Sequence, residues 1–189
     1  MTYPLRLTGG KVVLRDFTLA DVDDMLRVFG DDRVTRWLSF DSRDRDQTRA
    51  RIENAVKNAQ RTPRTEFYLA VATPDDDRAI GFVRLVHSGN RGEDIGCAIA
   101  ADAWGRGYGA DAHRLILDFA FRDLGVERVC GWIPLDNTTR MTALEENGAL
   151  GKLGFAPDEV RRDHVFINGA WRDCMLNSVS AEEWARRRP

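Results

Sequence analysis

The sequence predicts a mixed α/β (α+β) fold, a mostly antiparallel sheet of six to seven strands with helices on both faces. Three observations predict it. Apolar runs bounded by turn residues and amphipathic helical runs follow in the order β-α-α-β-β-β-α-β-α-β-β-α, which departs from the strict alternation of a parallel sheet. Between residues 66 and 100 three strand-like runs succeed one another with only turns between them, which favours antiparallel neighbours. Asn168 and Gly169 form a two-residue loop between residues 165–167 and 170–171, as a type I′ hairpin requires. The 189 residues, 43% hydrophobic and 31% charged, suit one compact domain over residues 1–189, and no repeat or linker interrupts them.

Residues 11–17 read as the first strand. Thr18 and Asp21 then form a capping box, and Leu19, Val22, Met25, Leu26 and Phe29 follow at helical spacing. A second, more charged helix is predicted over residues 46–60, with Ile52, Ala55, Val56 and Ala59 on one stripe. Residues 66–72, 79–86 and 94–100 are the next three strands, the last two joined by the polar stretch 88–92. A helix from Tyr108 to about Leu124 buries Ala112, Leu115, Ile116, Phe119 and Ala120, and Gly125 stops it. Residues 128–133 form a further strand, which leads through Pro134 into a helix starting near Thr138. The hairpin follows, and Ser180 with Glu183 caps a final helix around Trp184.

Composition sets bounds on function. A net charge of −2 and a pI near 6.0 argue against a nucleic-acid surface. Apolar runs fall short of the ~20 residues a membrane helix needs. The first residues do not read as a secretory signal, so a cytoplasmic protein without a membrane partner is expected. Cys97, Cys130 and Cys174 are few, odd in number and widely spaced, which reads as reduced, buried thiols. Neither they nor His87, His113 and His164 show metal-ligand spacing, so no metal is expected.

The stretch from Ala98 to Ala112 points to chemistry. It leaves a strand, passes Gly105, Gly107 and Gly109, and enters an amphipathic helix. Glycines at these positions let the backbone approach a ligand closely. The amides of residues 106–110 can then face a pyrophosphate together with the helix dipole. A dinucleotide fingerprint would need its third glycine one position later and a strand that opens a βαβ unit. A triphosphate loop would need a Lys-Ser/Thr ending. A glycine-rich turn without a ligand is the plain alternative.

The loop resembles the coenzyme A pyrophosphate loop of the GCN5-related N-acetyltransferases (GNAT), whose pattern Gln/Arg-x-x-Gly-x-Gly/Ala falls on residues 104–109. Trp104 stands at the Gln/Arg position, a form usual in the Rim-type ribosomal-protein N-acetyltransferase branch. The resemblance covers nearly the whole chain. It includes residues 12–15 with the Leu19–Asp21 start, Ile80 to Phe82, Asp94 to Gly96, and Leu135 to Asn137. It continues through Arg162, Asn168, Gly169, Trp171 and Asp173 of the hairpin, and Glu183 with Trp184.

The resemblance implies transfer of an acetyl group from acetyl-CoA to an amine by direct attack in a ternary complex. The acceptor is first a protein N-terminal amine, then a small-molecule amine. It implies a cleft between splayed fourth and fifth strands. Backbone groups of Ile99, Ala100 and Ala101 hold the pantetheine, and Trp104, Gly105, Arg106, Gly107, Tyr108, Gly109 and Ala110 hold the phosphates. Asn137 matches an Asn that bonds the pantetheine, although its own context reads equally as a helix cap. Arg140 stands where the Rim-type branch carries a Ser proton donor. It reads as a contact to a CoA phosphate or as a solvent-facing helix residue. The family's Gly-Phe pair is expected at Gly148 and Ala149, whereas Gly154 and Phe155 follow later. The segment after Asn137 is thus an extended helix or a longer loop.

Glu93 and Asp94 are the candidate bases. Glu93 has the spacing of the base in histone-type members, and Asp94 matches the acidic position of the Rim-type branch. Adjacent strand residues face opposite sides, so at most one enters the cleft. The plain alternative is two solvated carboxylates at a strand end. His164 with Asp163 is a weaker pair. Trp37, Leu38 and Phe40 are acceptor walls, core or a dimer contact, and a homodimer is among the assemblies the resemblance allows. A non-catalytic acyl-CoA-binding sensor or interaction module is the alternative function.

Overall fold

The chain enters its sheet at one edge and ends near the other. The structure is a computed structural model that describes residues 3–86 and 93–187, with the Glu93 side chain excepted. The stretch 88–92, read as a polar connection, and His87 lie outside the described residues. Strand β1 (Arg6–Thr8) pairs antiparallel with β2 (Val13–Asp16), followed by β3 (Glu66–Ala72), β4 (Ala79–Val86), β5 (Glu93–Ile99) and β6 (Arg128–Pro134). The hairpin strands β7 (Ala156–Ile167) and β8 (Ala170–Ser180) complete an eight-stranded sheet of order β1-β2-β3-β4-β5-β6-β8-β7. The predicted fold class holds, with eight strands rather than six to seven. The added strand is β1, only three residues long and mostly exposed, too short to register as a periodic pattern.

Helices cover both faces. Helix α1 (Val22–Phe29) follows a 3-10 turn at Leu19–Asp21, where the Thr18 amide donates to Asp21 Oδ2 at 2.7 Å. A short α2 (Asp32–Thr35) precedes α3 (Arg45–Ala59). Asp44 caps α3, its Oδ1 accepting from the Gln47 amide at 2.8 Å while Gln47 Oε1 accepts from the Asp44 amide at 3.1 Å. On this side Phe29 of α1 packs on Phe82 of β4, which packs on Tyr68 of β3. The neighbouring Phe67 points the other way, onto Phe119 at the end of α4 (Tyr108–Asp118), as alternation along a strand demands. A π-turn over Phe119–Asp123 extends α4, and Gly125 leaves it at φ +68°. Asn168 and Gly169 sit at φ +49° and +75°, the left-handed pair a type I′ turn uses.

Helix α5 (Thr138–Leu144) is short, and a compact loop replaces the longer helix that one reading allowed. Leu150 donates its amide to Ala143 O at 2.7 Å, Gly148 to Glu145 O at 2.8 Å, and Gly154 ends the segment at φ +92°. A Cβ on Gly151 would lie 1.9 Å from Glu145 O, so only glycine closes this loop. Helix α6 (Ala181–Arg186) docks Trp184 Nε1 on Asp118 Oδ1 at 3.1 Å. The three cysteines are free thiols, Cys130 and Cys174 buried and Cys97 partly so.

Candidate active site

The sheet opens in its middle. Strands β5 and β6 are parallel and pair only at Glu93↔Val129 and Asp94↔Cys130, while β5 runs on to Ile99 and β6 to Pro134. Beyond those two pairs the strands separate, and β6 is paired along its length with β8 instead. The hydrogen-bonding phase of β5 decides which groups face the gap. The Ala100 amide donates to Ile80 O at 2.8 Å, and the register continues through Phe82↔Ala98 and Arg84↔Gly96. Alternation in an antiparallel ladder turns the N–H and C=O of Cys97 and Ile99 away from β4 and into the split. One of these is already used, because Trp104 Nε1 donates to Ile99 O at 2.7 Å. Ala100 O accepts from Ala103, and Ala101 O from Trp104. Of the three residues expected to hold a ligand arm, Ile99 has its amide facing the gap, whereas the Ala100 amide is spent on Ile80.

The glycine loop leads from this point into α4. Gly105 and Gly107 adopt φ +75° and +80°, a conformation that costs most side chains about 1–2 kcal/mol. The first intrahelical bond is Asp111 N to Gly107 O at 3.1 Å. The amides of Tyr108, Gly109 and Ala110 therefore have no intrahelical acceptor. Lys11, which was not singled out from sequence, crosses the loop. Its Nζ donates to Arg106 O at 3.0 Å, and its amide donates to Asp111 Oδ2 at 2.7 Å. A lysine at a strand start gives no signal of its own; the contact exists because β2 passes beneath α4. The arrangement fits a pyrophosphate: unpaired amides, a helix N-terminus and a cation meet where the backbone is bare of Cβ atoms.

At the other side of the split stands α5. Asn137 is buried and its Oδ1 accepts from the Arg140 amide at 3.2 Å, so it caps the helix. Its Nδ2 makes no hydrogen bond among the described residues. Arg140 is half-buried, and its charge acts on both the Cys97 thiol and the His113 imidazole. Burial pushes the Cys97 thiol up to about 11, so it is an inert wall and not a nucleophile.

His113 donates its Nδ1–H to Gly109 O at 2.7 Å, and burial, with Arg140 adding, lowers its pKa to about 4. The unfolded chain takes up a proton near pH 6.5 that the folded protein refuses until about 4. Stability therefore falls as pH drops through this window, by roughly 3 kcal/mol in total. We expect His113→Gln to flatten that slope in urea titrations between pH 7 and 4; an unchanged slope would assign the acid sensitivity to other groups.

The opposite face of the split is polar and aromatic. Tyr68, Arg84 and Gly96 lie side by side across β3, β4 and β5. A Cβ on Gly96 would meet nothing within 4 Å, so the floor is open there. Asp94 shares this face, its Oδ2 3.8 Å from Arg84 Nη1, while Arg84 Nε donates to Glu66 Oε1 at 2.5 Å. Burial raises the Asp94 pKa, against the opposing charges of Arg84 and His164. His164 stacks on Trp132 of β6 with ring centroids 3.9 Å apart, and Arg161 lies 5.2 Å over the same indole. His164 thus joins Asp94, whereas its sequence partner Asp163 turns into a bulge at φ +46° with its amide on Asp173. The Glu93 side chain lies outside the described residues; its backbone pairs with Val129.

The hairpin tip closes this face, Asn168 Nδ2 donating to Arg36 O at 3.2 Å. That contact brings the half-buried Trp37, Leu38 and Phe40 beside the site, with Phe40 and Leu38 also packed against the core. Arg84 and Trp132 had not been singled out. Arg84 was visible as the one charged residue in an apolar strand; the role of Trp132 depends on a hairpin partner more than thirty residues away.

A split parallel pair, a glycine loop at a helix start and a half-buried carboxylate where the split begins are features of an acetyltransferase-type fold. Comparison with known proteins agrees. Residues 11–150 match the family described as the acetyltransferase (GNAT) domain, and the chain belongs to that family. It is 30% identical over 117 residues to "Probable N-acetyltransferase YjcK" of Bacillus subtilis, across 60% of this chain and 61% of that protein. The chain therefore spans under two thirds of that relative. It is 24% identical to "Uncharacterized N-acetyltransferase YoaA" of the same organism, across 92% of this chain and 95% of that one. Among solved structures, Mycobacterium smegmatis RimJ in complex with CoA-disulfide superposes with a TM-score of 0.80 at 20% identity, over 98% of this chain and 93% of RimJ. Among the described residues no helix is long and apolar enough to cross a membrane, and no group of three or more His, Cys, Asp or Glu side chains could hold a metal ion.

Proposed function

We propose that this chain transfers the acetyl group of acetyl-CoA to an amine, a protein or peptide N-terminus before a small molecule, within one domain and in the cytoplasm. The observation that carries this reading is the β5–β6 split, which opens beside unpaired strand amides and ends at the glycine loop. The phosphates lie against the amides of residues 106–110 and Lys11. The amide-bearing arm runs along Cys97 and Ile99 as an additional strand, with Asn137 Nδ2 on its far side. The thioester then arrives near Gly96, where the amine approaches from the Tyr68–Arg84 face.

The step balances simply. The neutral amine nitrogen attacks the thioester carbonyl carbon, a C–N bond forms, and the C–S bond breaks with its electron pair leaving on sulfur. The proton shed by nitrogen passes to Asp94, whose raised pKa makes it a stronger base than an exposed carboxylate. Backbone N–H groups of β5 stabilise the oxyanion. Arg140 supplies a positive charge beside the departing thiolate, which takes its proton from water. No serine donor is needed at that position.

Calorimetric titration with acetyl-CoA, paired with a thiol-release assay on peptides with free N-termini, tests the proposal. Binding with turnover is the expected result. Binding without turnover on any amine would make the chain a CoA sensor, and no binding by folded protein would sink both.

A further inference from the structure

Two arginines on the acceptor face take no part in the transfer step. Arg43 leads into α3, and Arg51 lies within it. Other arginines around them are neutralised: Arg45 by Asp23, Arg64 by Asp16, and Arg78 by Asp24. Arg43 and Arg51 have no carboxylate partner among the described residues; the groups that act on Arg43 are Arg51 and Tyr68. Both are half-buried and held on aromatic rings. The Arg43 guanidinium carbon lies 4.3 Å from the centroid of Phe40 and 5.9 Å from that of Phe29. That of Arg51 lies 4.3 Å from the Tyr68 ring. Phe29, Phe82 and Tyr68 form one continuous shelf under them.

Stacking uses the flat face of a guanidinium and leaves its N–H edge for a planar anion; Arg51 shares one N–H with the Tyr68 hydroxyl and keeps its others. Two like charges held in one place without a counterion repel each other, and burial first, then the Arg51 charge, disfavour the charged form of Arg43. An anion placed between them relieves both costs. The location matches a substrate. Tyr68 lies two strands from Gly96 through Arg84, and strand spacing makes that roughly 10 Å. An acceptor whose amine sits at Gly96 would bring an acidic group several bonds away to the pair.

We infer that Arg43 and Arg51 clamp a carboxylate of the acceptor, so that the substrate is an amine bearing an acidic group and not a polycation. The inference rests on the acetyl-transfer reading of the cleft. Its chemistry has two sources, an acidic residue near a peptide N-terminus and the carboxylate of a free amino acid.

The experiment compares matched acceptors by kcat/KM. Peptides with Glu or Gln at the second position form one arm. Free glutamate and its bis-amide form the other, with spermidine as the polycation. We expect the acidic member of at least one arm to be favoured by roughly ten- to hundredfold, mainly through KM, and that arm identifies the source. Arg51→Gln and Arg43→Gln should each move the ratio toward one, with Arg51→Lys retaining part of it; a merely structural role would lower both members alike. A wild-type ratio near one in both arms, or spermidine as the best acceptor, overturns the clamp without touching the transferase reading. If acetyl-CoA binds and nothing is acetylated, the transferase reading fails. Titration of the Glu peptide into acetyl-CoA-loaded protein then decides the clamp: binding lost in Arg51→Gln upholds it, and no binding overturns it.

Discussion

Replacing Asp94 with Asn should lower kcat/KM for amine acetylation by roughly 10²- to 10⁴-fold, the usual contribution of a positioned base, with acetyl-CoA affinity retained. The carboxylate is the acidic group that shares a face with Arg84 and Gly96 and stands where the split begins. Burial raises its pKa, so the wild-type rate should fall on the acid side as pH drops through that raised value and the carboxylate takes up a proton. Asn carries no such titration, and the variant's acid limb should vanish along with its rate. Measured pH profiles of kcat/KM check both points. A variant with wild-type rate would move the base to another group or to water. The Arg84–Glu66 pair beside Asp94 tempers the effect, because Glu66 partly neutralises Arg84 and so weakens the force holding Asp94 ionised.

Gly107→Val is the second large effect. Gly107 sits at φ +80°, and its Cβ would lie 3.0 Å from Lys11 Nζ. A β-branched residue cannot hold this conformation without strain of about 1–2 kcal/mol, and it would displace the lysine that reaches Arg106 O. Relief of the strain means turning the amides of residues 106–110 away from their common focus. Acetyl-CoA affinity should weaken by roughly ten- to hundredfold in calorimetry, with the melting temperature lowered by about 2–8 °C. Unchanged affinity in the folded variant would show that the phosphates bind elsewhere.

Much of this was legible in the residues because the signals were local. The I′ turn at Asn168 and Gly169, the capping pairs Thr18/Asp21 and Ser180/Glu183, and the glycines before Tyr108 each specify their own backbone within a few positions. What was not legible depends on contacts distant in sequence. The edge strand β1 exists because Leu7 pairs with Leu14, and three residues carry no period. The hairpin strands run far beyond the stretch read as strands because β8 follows β6 from Arg128 to Pro134, a partner the hairpin's own residues do not reveal. Lys11 meets the glycine loop, and His164 meets Trp132, only through tertiary packing. Gap-facing amides at Cys97 and Ile99 follow from strand phase, which side-chain identity does not encode.

Every open sheet has two outer edges, and unpaired strand edges invite pairing with other chains. This sheet limits both: β1 is three residues long, and β7 is studded with Asp158, Glu159, Arg161, Arg162 and Asp163. The divergence of β5 from β6 creates a second pair of edges inside the molecule. Those inner edges are neither short nor charged along Ile95 to Ile99, yet α4, α5 and the flanking strands recess them below the surface. The gap therefore keeps the hydrogen-bonding appetite of an open strand edge in the middle of the sheet, away from both of its outer rims.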